Sequence, residues 1–232
     1  MMSSASARRE RDSEAARLAI LDAAEVAFAE NGFDGARIDA IAAGSGYNKS
    51  LIFHYFGDKL GLYREIVARA RGQFQGWFAS VLGPLVQNDA MQLNADTVGA
   101  VLEIFIRGYF KNLVEHPRLV RMIAWEAAEG WQIFGSLQRK PEEIEGGKSA
   151  FDFIRRAQKA GIVQAELDPG LLIYNMASLC VYYVQSIPVL HPLIDFTGES
   201  VPELADAQDQ IVKLLLHGTL VPQKEANHET HL

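Results

Sequence analysis

The chain has 232 residues, nearly half of them apolar, which is enough for one large domain or a small one joined to a larger one. Its lone cysteine, Cys180, excludes an internal disulfide framework and suits a reducing cytoplasm. The net charge of −7 falls unevenly: residues 1–80 hold ten basic and ten acidic side chains, whereas residues 81–232 hold the other twelve and nineteen, so the part that repels polyanions is the C-terminal one.

No charged segment leading into an apolar run opens the chain, so a secretory signal is not expected. Arg8, Arg9, Arg11 and Arg17 form a basic arm able to track phosphates, and residues 1–13 are expected to be flexible. From Arg17 to Gly32 an amphipathic helix is predicted, with Ile20, Leu21, Ala24, Ala27 and Phe28 on one stripe and Gly32 just past its end.

The next stretch, Arg37 to Lys59, reads as a helix-turn-helix. Ile38, Ile41 and Ala42 fall on one helical face, and Gly44-Ser45-Gly46 stops that helix. Asn48 is placed to cap a second helix, whose Ile52 and Phe56, four apart, make a buried stripe. With Ile52 at the centre of that stripe and about 100° per residue, Ser50 and His54 lie nearly opposite, flanked by Leu51 and Phe53. That outer face is the one a DNA major groove would see, and Lys49 stands in the first turn, where reading side chains reach base edges. Asp58 is expected to cap a third helix, where Lys59 and the free N–H groups together suit a phosphate.

Beyond it, residues 58 to about 82 read as one connecting helix ended by Gly83-Pro84. The run Thr97 to Glu115 is a core helix with Val98, Val101, Leu102, Phe105, Ile106, Tyr109, Phe110 and Leu113 at steps of three and four. His116-Pro117 closes it, and a shorter helix carries Leu119, Met122, Ile123 and Trp125. Gly130 to Gly147 reads as irregular, Pro141 starts a helix to about Ala160, and Asp168-Pro169 caps and opens another.

That later helix, Leu171 to about Ile187, carries no charge, and the uncharged stretch continues to Ile194. Its length admits a membrane span, but Asn175, Ser178, Gln185, Ser186 and Pro188 would be costly in lipid, so a helix buried on two sides is expected and no membrane partner. The last helix, opened by the capping-box pattern Ser200-x-x-Glu203, carries Leu204, Ile211, Val212, Leu215 and Leu216 and is its expected neighbour. Surplus apolar surface on these two helices points to a two-fold homodimer interface, and the tail from Pro222 is polar.

The N-terminal run Ile20-Leu21-Asp22-Ala23-Ala24, then Phe28, Gly32-Phe33, Ile41-Ala42, Gly46 and Leu51-Ile52-Phe53-His54-Tyr55-Phe56 with Lys59, resembles the DNA-binding domain of TetR-type transcriptional regulators. The resemblance covers residues 14–74. It implies an all-α chain: an N-terminal three-helix head (14–74, motif 37–56) and a larger helical body for effector binding and dimerisation (75–221), flanked by the arm 1–13 and the tail 222–232. It further implies a repressor that grips a palindromic double-stranded DNA operator as a homodimer and is released by a small-molecule effector, as yet unidentified. By position, Arg37, Lys49, Ser50, Leu51, Phe53, His54, Tyr55 and Lys59 become the DNA contacts. The chain departs from the family where Ala36 replaces a capping Thr, Phe53 a Tyr, Tyr47 a small aliphatic and Gly61 a frequent Glu.

An effector pocket among the body helices would be lined by Phe105, Tyr109, Met122, Trp125, Trp131, Phe134, Tyr174 and Tyr183, residue types that also build plain cores. Glu126 and Glu129, one turn apart, suit either a cationic effector or a solvated helix face. The histidines show no metal-ligand spacing, and no nucleophile elbow or phosphate-cradling glycine loop is present, so no metal, cofactor or catalysis is expected. The rival reading is a helical ligand-binding or enzymatic protein whose helix-turn-helix serves as a protein-interaction module.

Overall fold

The computed structural model describes residues 4–196 and 203–222, and its regular structure there is helical apart from one isolated bridge between Val163 and Leu220. In chain order the helices are α1 (Ser4–Gly35), α2 (Ile38–Ser45), α3 (Lys49–Phe56), α4 (Lys59–Trp77), α5 (Gly83–Val86), α6 (Ala95–Glu115), α7 (Pro117–Ala128), α8 (Gln132–Ser136), α9 (Pro141–Lys159), α10 (Pro169–Phe196) and α11 (Leu204–Thr219). They divide into two compact units, one made of the chain up to Gly76 with Leu113–Lys140, the other of Trp77–Asn112 with Pro141 onward.

The first unit is built on the apolar stripe of α1. Ile20, Leu21, Ala24 and Phe28 are buried against Ile41 of α2, Ile52 and Phe56 of α3, and Leu62, Tyr63, Ile66 and Val67 of α4. Residues 4–13, expected as a flexible arm, continue α1 as helix. Near its other end Gly32 departs from helical backbone (φ 68°, ψ −179°) into a region essentially confined to glycine, which costs a Cβ-bearing residue about 1–3 kcal/mol. A Cβ there would also stand 3.0 Å from Cδ2 of Trp125, so this glycine both turns the chain and admits the indole.

Trp125 belongs to α7, which packs on α1 within this unit, with Met122 in the same core. The compact unit around the head is therefore larger than residues 14–74, because Met122 and Glu126 bury their side chains in it.

The connecting helix is shorter than the expected 58–82. Regular α4 gives way to a π-helical turn over Phe78–Leu82, and Gly83-Pro84 opens the short α5 instead of ending a helix. Proline is tolerated there because the first turn of a helix leaves its N–H groups unpaired in any case. In the second unit, α6 is opened by a reciprocal cap in which Thr97 N–H donates to Asn94 Oδ1 (2.8 Å) and Asn94 N–H to Thr97 Oγ1 (3.0 Å). Val98, Val101, Leu102, Ile106 and Phe110 of α6 are buried, as their spacing predicts. Arg107 ties α6 to α11, its guanidinium paired with Asp209 (2.6 Å) while Gln208 donates to its carbonyl (3.1 Å).

Two expectations for the late helices change. α10 runs to Phe196, through Pro188 and Pro192, rather than ending near Ile187. It is also not buried on two sides: Leu171, Tyr174, Tyr182, Val189 and Leu193 are exposed, Tyr182 by 71%. Its start is as expected, with Leu171 N–H donating to Asp168 Oδ1 (2.9 Å). Ser200 of the expected capping box and residues 223–232 of the tail lie outside the described residues; α11 begins after Glu203, whose side chain makes no cap hydrogen bond.

Candidate nucleic-acid interface

The helix-turn-helix forms as its sequence dictates. α2 ends at Gly46 (φ 75°), and Asn48 opens α3 by accepting from Leu51 N–H at 2.9 Å. The opening of α2 lacks such a device: Arg37 is its N-cap and makes no side-chain cap bond, while Ala36, where the family carries Thr, is buried. Asp58 Oδ1 accepts from Gly61 N–H (2.6 Å) at the start of α4. Gly61 itself leaves no room for a side chain, since a Cβ would collide with the Phe56 carbonyl oxygen. The α3–α4 turn thus requires glycine where the family often has Glu.

Ile52 and Phe56 face inward from α3, which leaves Lys49, Ser50, Phe53 and His54 exposed on its outer side; Arg37, at the start of α2, is exposed as well. Phe53, lacking the phenol usual in the family, is 44% exposed and offers only a ring to a nucleic acid. Leu51 and Tyr55 are half-buried and packed against the head core. Tyr55 is further engaged through its hydroxyl with Ser13 Oγ of α1 at 2.9 Å.

The cations divide into those held within the head and those presented outward. Lys59 donates to the Asp34 carbonyl (3.1 Å) and lies 4.9 Å from the Phe33 ring centroid. Arg17, expected to belong to the basic arm, is instead paired with Glu65 and stacked over Phe56. Arg69 is tied to Asp22 (2.7 Å) and Glu25. At the N-terminus of α3, Lys49 forms an ion pair with Asp39 of α2, an acceptor that sequence periodicity does not reveal because it joins two helices.

The eight residues expected around an effector do not share one unit. Met122, Trp125, Trp131 and Phe134 belong to the first, where Met122 is core and Phe134 packs against it. Trp131 sits at the turn into α8, 45% exposed and in left-handed backbone (φ 61°). Phe105, Tyr109, Tyr174 and Tyr183 belong to the second. There Phe105 and Tyr109 stack at 6.0 Å, Tyr183 meets Phe110 at 5.9 Å, and Tyr174 is exposed. Burial, then the neighbouring Cys180, pushes the Tyr109 phenol up to about 12.

Glu126 does not lie on a solvated helix face, one of the two readings of the Glu126–Glu129 pair, but is turned into the interior of the first unit. It is 1% exposed and fully partnered: Oε1 accepts from Tyr63 hydroxyl (3.0 Å), Oε2 from the N–H groups of Ile133 (3.3 Å) and Phe134 (3.0 Å). The first unit also holds a cleft of about 450 Å³ between α1, α4 and α7, floored by Ile66 and Met122. Of the eight expected lining residues only Met122 borders it.

Residues 20–66 match the model of the bacterial regulatory proteins of the tetR family, and residues 100–215 match that of the tetracyclin repressor-like C-terminal domain. The chain belongs to the TetR family. Similar proteins include the HTH-type transcriptional repressor SCO4008 of Streptomyces coelicolor, 29% identical over 180 residues spanning 75% of this chain and 81% of the relative. The HTH-type transcriptional regulator RutR of Escherichia coli K12 is 25% identical over 215 residues, 91% of this chain and 93% of its own. In fold, the chain is similar to the ketosteroid transcriptional regulator KstR2 of Mycobacterium tuberculosis, with TM-score 0.60 at 18% identity over 89% of this chain and 95% of that one. A TetR-family chain is a DNA-binding transcriptional regulator, and the rival reading of the helix-turn-helix as a protein-interaction module is not favoured.

Proposed function

We propose that the protein is a cytoplasmic homodimeric repressor that seats α3 of each head in successive major grooves of a palindromic operator and leaves it when a small molecule binds. The observation that carries this reading is the two-sided α3, with Ile52 and Phe56 buried and Lys49, Ser50, Phe53 and His54 exposed on the opposite face. Repression is favoured over activation because relatives such as SCO4008 and the NicS protein of Pseudomonas putida, 28% identical over 196 residues, are named repressors.

In this docking Lys49 and Ser50 meet base edges, while Arg37, Tyr55 and Lys59 meet the phosphate backbone, Lys59 exchanging its Asp34 carbonyl for a phosphate. Leu51, Phe53 and His54 supply the apolar and ring contacts beside them. The second subunit docks on the uncovered face of α10 and α11. The effector is an unidentified small molecule, and the half-buried Phe105, Tyr109 and Tyr183 of the second unit are the side chains we infer it meets.

The test is an electrophoretic titration with duplex from upstream of the protein's own coding sequence, across 50–200 mM salt. Replacing Arg37→Ala with Lys59→Ala leaves two phosphates per head without a cation, so the slope of log affinity against log salt should flatten by about 0.9 for each phosphate no longer neutralised. An unchanged slope would remove the proposed docking.

A further inference from the structure

Residues 1–80, which include the head, carry as many acidic as basic side chains, an unusual balance for a surface that meets a polyanion, and one of those acids stands beside the recognition helix. Asp39 lies in the first turn of α2 and forms an ion pair with Lys49, the first residue of α3. Both side chains are more than half exposed, 68% and 53%, so the pair sits on the surface rather than in the packing between the two helices. An exposed pair of this kind adds little to stability. Its consequence is for DNA, because it occupies the cation best placed to read a base.

Resting on the operator-binding reading, we infer that Asp39 is a positioning residue that makes Lys49 selective. An ammonium has three donors and no acceptor. With one donor on Asp39, Lys49 keeps two for the N7 and O6 acceptors of a guanine edge, so operator can be read with the ion pair intact. On duplex lacking the operator sequence, binding is almost wholly phosphate neutralisation. There Lys49, its charge already neutralised by Asp39, has little to offer a phosphate, and the Asp39 carboxylate repels the backbone beside it. The same carboxylate is therefore compatible with the specific complex and opposed to the non-specific one, a discrimination built from repulsion as well as attraction.

The second role open to Asp39 is to complement the N-terminus of α2, which has no side-chain cap. That role predicts a change in stability and none in the preference between duplexes. The two are separated by measuring full-length wild type, Asp39→Asn, Asp39→Glu, Lys49→Ala and the Asp39→Asn/Lys49→Ala double variant on operator and on a scrambled duplex of equal length, at 50–200 mM salt. Asp39→Asn should tighten scrambled-duplex binding several-fold and steepen its salt slope by about 0.9 per head, while operator affinity stays level or falls. The operator-to-scrambled ratio should drop by about tenfold. Asp39→Glu should restore the ratio, and in the Lys49→Ala background Asp39→Asn should leave it unchanged. Equal shifts on both duplexes, or a shift that persists without Lys49, would overturn the assignment. If wild type itself fails to prefer operator, the DNA-binding reading fails first and this one with it.

Discussion

Glu126 holds three parts of the first unit together. Its carboxylate takes a hydroxyl from α4 and two backbone N–H groups from the start of α8, and its own carbonyl accepts from Trp131 N–H at 2.7 Å. A buried acid with donors on both oxygens offsets the cost of its desolvation, whereas one that loses a donor is left with that cost. Tyr63→Phe should therefore lower unfolding stability in urea by about 1–3 kcal/mol. The pH dependence follows from the same contact. Burial first, and then the charge of Glu126, raises the Tyr63 phenol above its ordinary range. Its contribution is full below pH about 10, where the unfolded phenol is still protonated, and is lost as pH rises beyond that. Wild type should thus lose more stability between pH 9 and 11 than Tyr63→Phe does, and parallel curves would exclude the coupling. None of this was legible in the sequence. A glutamate on an amphipathic helix reads as solvated, and only the docking of α7 onto α1 makes it internal.

Among the elements, those defined by local chemistry were readable and those defined by packing were not. The α2–turn–α3 motif follows from Gly46, Asn48 and the Ile52/Phe56 stripe, all within a dozen residues of one another. The outward set on α3 was equally readable, since helical periodicity alone opposes Ser50 and His54 to Ile52. By contrast, Tyr55, Lys59 and Arg17 looked available for DNA and are engaged by Ser13, Asp34 and Glu65, partners between 25 and 48 residues away. The end of α10 differs from expectation because Pro188 reads as a stop, and that of α4 because the backbone widens into a π-helical turn at Phe78–Leu82 before Gly83-Pro84 is reached. A proline removes one donor and bends a helix without forbidding its continuation, which is what α10 does. The junction of α1 and α7 offers the sharper test. Gly32→Ala imposes both the left-handed φ and the approach of Cβ to Trp125, and should cost about 1–3 kcal/mol by thermal unfolding. Adding Trp125→Leu should recover only part of that, since it relieves the approach and leaves the backbone strain.

For the whole molecule, α10 is the element that a single chain leaves incomplete. Among the described residues one helix, Pro169–Ile194, is long and apolar enough to cross a membrane, and only 6% of its apolar window is buried. Asn175, Ser178, Gln185 and Ser186 spread polar groups along it, which suits a protein partner better than lipid. The exposed Leu171, Tyr174, Tyr182, Val189 and Leu193, with Leu214 of α11 in the same unit, supply apolar surface for an isologous contact. If that contact joins the two subunits, Tyr182→Glu with Val189→Glu places charges in it from each side, four in all, none able to find water without separating the chains. The variant should run as a monomer by light scattering, while its head melts as in wild type. Its affinity for a palindromic operator should fall by about 10²–10⁴, the avidity that disappears when two heads no longer bind as one, whereas affinity for a single half-site should be unchanged. A double variant that remains dimeric would move the interface off α10. Flotation of the wild type with phospholipid vesicles in place of dimer formation would return α10 to the membrane.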